Sequence, residues 1–128
     1  MSELALAAER ERNRFWEAAA TVWSAAVLGL AVSPLRNVDL ITAPISDKVL
    51  HALAFFFGIM VWAGALQSAP RRARAMTLAV AVCVAMGALI ELLQTQTATR
   101  TSEMGDFIAD LAGIAVGGLL WAFMRFRA

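Results

Sequence analysis

The sequence predicts an all-α protein: a bundle of four transmembrane helices joined by short loops, with both termini cytoplasmic. Three observations lead there. Of the 128 residues, 60% are hydrophobic and only 16% are charged, against about 25% charged in soluble domains. A water-soluble chain of this size buries roughly two thirds of its surface and needs a far more polar remainder. Four apolar stretches stand out, at residues 15–32, 49–66, 75–93 and 107–123. At about 1.5 Å per residue, helices of that length match a hydrocarbon core of about 30 Å. None of the four shows the alternation of barrel strands, and lipid tolerates only helices or closed barrels.

The first stretch follows Arg10, Arg12 and Arg14 and ends at Ser33-Pro34. It is read as an uncleaved span rather than a signal peptide. It is long for a signal core, its leader carries Glu3, Glu9 and Glu11, and Pro34 disfavours cleavage there. That leader mixes alanine and leucine with both charges, which suits a helical extension of the span along or beyond the membrane surface. Pro44 and Ser46 precede the second span, and Ala69-Pro70 separates the second from the third. Such short links make neighbours antiparallel. With no internal repeat or long linker, residues 1–128 are expected to form a single domain. Cys83 lies inside the third span, so no internal disulfide is possible.

Orientation follows from the basic residues. Of 11 in all, Arg10, Arg12, Arg14, Arg71, Arg72, Arg74, Arg125 and Arg127 fall on one side of a four-span topology, and Arg36, Lys48 and Arg100 on the other. The richer side is expected to be cytoplasmic. Trp16, Trp62 and Trp121 then lie near cytoplasmic span ends, where an indole N–H meets headgroups. A net charge of +1 without basic–aromatic runs excludes nucleic acid as a partner.

The residues that fit lipid badly gather toward the opposite, external face. Asp47 and His51 are four apart where the second span begins, and Glu91 and Gln94 are three apart where the third ends, so each pair shares a helix face. In the fourth span, Asp106, Asp110, Gly113 and Gly117 form one stripe that must face protein. Gly113-x-x-x-Gly117 lets another helix approach closely, bringing the two acids toward the polar residues of spans two and three. An intramembrane carboxylate such as Glu91 is a functional-site candidate by default. Plainer roles exist beside these: Asp47 and Ser46 as caps, Lys48 as an interfacial snorkeler, Glu103 as loop or cap, Arg100 as counter-ion. His51, Glu91, Asp106 and Asp110 are of metal-ligating type. With one histidine and no His-x-x-x-His pair, however, no metal and no cofactor is expected.

The order Asp47-Lys48-x-x-His51, Glu91-x-x-Gln94, Arg100, Asp106, Asp110 and Gly113-x-x-x-Gly117 resembles the VanZ-like membrane family over roughly residues 47–117. At Asp110 the family usually carries Asn, so this chain adds an ionisable group. The resemblance implies a four-helix bundle in a bacterial cytoplasmic membrane, in a family named for an accessory protein of resistance to glycopeptide antibiotics such as teicoplanin. It implies no reaction. Two functions remain open. One is a site that binds or processes an envelope lipid or lipid-linked glycan. In it Glu91 or Asp106 is general base and His51 acid or second base, with Asp47, Lys48, Gln94, Arg100 and Asp110 holding the ligand. The other is a non-enzymatic accessory or scaffold subunit of a larger membrane complex. A transporter is disfavoured, since no span is broken and no acid lies in the cytoplasmic half of spans two to four.

Overall fold

The described residues form four long α-helices. A computed structural model describes residues 2–34, 46–67, 72–98 and 102–127. Helix α1 runs over Glu3–Val32, α2 over Asp47–Leu66, α3 over Arg72–Thr95 and α4 over Met104–Arg127. Each is long and apolar enough to cross a membrane. No more than 28% of any spanning stretch is buried within the protein, and Phe57, Leu78, Val116 and Leu119 point outward. Surfaces of that kind need lipid as their solvent.

The helices run past the apolar stretches, α1 and α2 at their N-terminal ends and α3 and α4 at both ends. α1 is the extreme case: its 30 residues make a rod of roughly 45 Å, well over the ~30 Å hydrocarbon thickness. Its first turns carry Glu3, Glu9, Arg10, Glu11, Arg12 and Arg14 and continue the span without a break. Ser2 caps it, its Oγ accepting from the Ala5 N–H at 3.3 Å. At the far end Ser33 Oγ donates to the Gly29 carbonyl at 2.7 Å, and Pro34 follows. Ser46 caps α2 in the same manner, accepting from the Val49 N–H at 3.3 Å. Asp47 thereby becomes the first helical residue, where an acid suits the helix dipole.

α2 is the central element and touches each of the other three. Its widest contact is with α4. The two run parallel, since Lys48 meets Asp106 at one end and Gln67 accepts from the Arg125 guanidinium at the other. Glycines permit the approach. A Cβ on Gly113 would collide with the Ala52 carbonyl and lie 2.9 Å from the Phe56 nitrogen, and one on Gly117 would lie 2.5 Å from the Phe56 carbonyl oxygen. α1 lies antiparallel to α2: Trp16 covers Gly64 and Trp23 covers Gly58. Trp23 Nε1 donates to the Ala54 carbonyl at 2.8 Å, and its ring meets Phe55 edge-on at 5.4 Å. α3 closes the core with Ala79, Cys83 and Ile90 against Phe55, Ile59, Ala63, Ile114 and Ala31.

Candidate functional site at the polar end of the bundle

The antiparallel order brings the end of α1, the start of α2, the end of α3 and the start of α4 to one end of the bundle. Nearly every polar residue singled out in the sequence lies there. Asp106 and Asp110, four apart on α4, are both buried, as are Gly113 and Gly117 below them. The stripe faces α2, and the glycines draw it close enough for side-chain contact.

At this end two side chains of α2, Lys48 and His51, make polar contacts with the α4 region. Lys48 Nζ lies 3.0 Å from Glu103 Oε2 and 3.4 Å from Asp106 Oδ1. Lys48 therefore acts as an ion-pair partner for a carboxylate that is 3% exposed, a stronger requirement than snorkelling, because a buried charge without a partner is costly. One turn deeper, His51 Nδ1 lies 2.7 Å from Asp110 Oδ1. With the carboxylate ionised, Nδ1–H is the donor, and this fixes the ring's orientation. His51 Nε2 then faces Asp47 Oδ2 at 4.0 Å. Glu103 precedes α4 and its carbonyl accepts from the Asp106 N–H at 2.9 Å.

α3 contributes Glu91 and Gln94. Glu91 Oε2 accepts from Ser102 Oγ at 2.6 Å. Glu91 Oε1, Gln94 Oε1 and Asp110 Oδ2 are buried oxygens with no hydrogen-bond partner among the described residues. Arg100 lies outside the described residues. Two triplets bring ligand-type atoms within 4.8 Å of one another, namely Asp47, His51 and Asp106, and His51, Glu91 and Asp110.

Beside this layer a cavity of about 140 Å³ opens between α1, α2 and α3. Val27, Leu30, Leu50, Ala54, Phe55 and Ile90 make its walls apolar, while Asp47, His51 and Gln94 supply its polar lining. Sequence reasoning did not find α1's share of it, because Val27, Leu30 and Ala31 are indistinguishable from lipid-facing residues. Nor did it find Ser102, a lone serine in a polar loop.

No curated protein and no solved structure matches the chain at a significant level. Residues 5–125 match the VanZ/LLP1 family, nearly the whole length and well beyond the stretch that carries the motifs. The chain is a multi-pass membrane protein and belongs to the VanZ/LLP1 family.

Proposed function

We propose that this protein holds an amphipathic envelope lipid, or a lipid-linked glycan, at the external face of a bacterial cytoplasmic membrane. One observation carries the reading: the cavity between α1, α2 and α3 has apolar walls and three polar side chains, Asp47, His51 and Gln94. That distribution fits a molecule with a hydrocarbon part and a polar head. Its volume of about 140 Å³ is well above the ~10–15 Å³ that a single water needs. It accommodates a short apolar segment, with the rest of the chain lying in the bilayer. His51 suits a polar head because Asp110 fixes its ring, leaving the imidazole available to bind or exchange a proton. The external placement rests on the eight basic residues assigned to the opposite side.

The test is lipid identification. The full chain is purified in mild detergent, and co-purified lipids are compared by mass spectrometry between wild type and Leu30→Trp. Leu30 lines the cavity yet is 43% exposed, so the larger ring fills the groove with little effect on the core. The expected result is one lipid class enriched in wild type and depleted in Leu30→Trp at equal protein abundance. Identical lipid profiles overturn the reading. A wild-type preparation that instead carries a stoichiometric protein partner, also without enrichment, favours the scaffold role.

A further inference from the structure

We propose that His51, Glu91 and Asp110 form a binding site for one divalent cation, of the Mn²⁺ or Zn²⁺ type, at the polar end of the bundle. The three residues come from α2, α3 and α4, and one ligand-type atom from each lies within 4.8 Å of the others. Ligands about 2.1 Å from a shared ion sit roughly 3 to 4.2 Å apart. Closing the site takes side-chain adjustments of about an ångström, in which a ligating Nδ1 gives up its proton and its 2.7 Å contact with Asp110 Oδ1 in favour of the ion.

The unsatisfied atoms point the same way. Asp110 is 0% exposed, and its Oδ2 has no partner among the described residues. That oxygen faces α3, 3.0 Å from where a Cβ on Gly87 would stand. Glu91 lies four residues further along the same helix and therefore on the same face. Glu91 Oε1 is also buried and orphaned, as is the Oε1 of Gln94, which is 3% exposed. All three atoms are acceptors. An orphaned buried acceptor is destabilising, and more protein acceptors cannot relieve one another. A cation held between α3 and α4 relieves the two carboxylate oxygens, Glu91 Oε1 and Asp110 Oδ2, at once.

Charge balance selects the valence. Lys48 is committed to Glu103 and Asp106. Glu91 meets the hydroxyl of Ser102 and Asp110 meets an imidazole. Two carboxylates with a neutral histidine carry the charge that a divalent ion cancels, in a setting where uncompensated charge is expensive. Donor chemistry narrows the ion further. Mg²⁺ and Ca²⁺ prefer all-oxygen shells, whereas a mixed carboxylate and imidazole set suits Mn²⁺ or Zn²⁺. Only side chains of the protein are needed, so the site does not require a lipid in the groove.

The experiment uses the full chain, delipidated in detergent and stripped with a chelator. Mn²⁺ binding is followed by the loss of the free-ion electron paramagnetic resonance signal. Zn²⁺ uptake is followed by elemental analysis after gel filtration. Wild type and Glu103→Gln are expected to take up one ion per chain of at least one of the two metals. Glu91→Gln and Asp110→Asn are expected to weaken binding by at least about tenfold. Circular dichroism and gel filtration establish that each variant is folded, and half-buried Glu91 provides the milder substitution. A folded wild type that takes up neither metal overturns the proposal, as do folded Glu91→Gln and Asp110→Asn variants that bind as tightly as wild type.

Discussion

The buried carboxylates of α4 have different partners, and the difference sets what each can do. Asp106 is held by an ammonium at 3.4 Å, and Asp110 by an imidazole at 2.7 Å. Lys48 also reaches Glu103, but that pair is more than half exposed on both sides and solvent screens it. Asp106 is the partner that depends on Lys48. Lys48→Met is therefore expected to lower thermal stability in detergent, Glu103→Gln to have little effect, and Asp106→Asn to restore most of the loss in the Lys48→Met background. A double-mutant cycle measures this, and additive losses from Lys48→Met and Asp106→Asn would refute the coupling. The same reasoning separates roles that the sequence left together. Asp106, tied to Lys48, does not line the groove, whereas His51 and Asp47 do.

At the scale of elements, glycine placement governs how α2 meets its neighbours. Two glycines of α4 admit the α2 backbone, and two glycines of α2 admit tryptophans of α1. Such contacts matter more in lipid than in water. The tails compete for apolar surface as well as leucine does, leaving close packing and interhelical hydrogen bonds to hold helices together. Gly113→Ala places a methyl group against the Ala52 carbonyl and is expected to destabilise the folded protein by roughly 1–3 kcal/mol. A Cβ on Gly29 meets nothing within 4 Å. Gly29→Ala is expected to leave stability unchanged or raise it by up to about 1 kcal/mol. Unfolding by sodium dodecyl sulfate followed by circular dichroism compares the two directly. Equal responses would show that the α2–α4 approach is not limited by that glycine.

The whole molecule is polarised along its helices. One end carries Asp47, Lys48, His51, Glu91, Glu103, Asp106 and Asp110, and the other carries Arg74, Arg125 and Arg127. Basic residues are retained on the cytoplasmic side during insertion. A phosphatase reporter that is active only in the periplasm is therefore expected to be silent when fused after Arg127 and active when inserted after Pro34. The reverse pattern would place the groove at the cytoplasmic face and sink the external-lipid reading. Four spans and their order were legible in the chain because lipid imposes a length and a composition on any crossing segment. The stripe from Asp106 to Gly117 was legible because a helix repeats every 3.6 residues, and a charged stripe in lipid has to turn inward. Pairings were not legible. Whether Asp110 meets His51 or Glu91, and whether Lys48 serves Asp106 or a ligand, depends on register and on rotation about each helix axis, and hydropathy carries neither. The groove was also hidden, because Val27, Leu30 and Ile90 read the same whether they face a lipid tail or a cavity. Sequence alone thus determined a four-span membrane helix bundle and the end where its polar residues gather, since transfer into lipid acts on each segment separately. The partners of those residues, and the cavity beside them, were decided by tertiary structure, where glycines let the helices approach closely enough for side chains on different spans to meet.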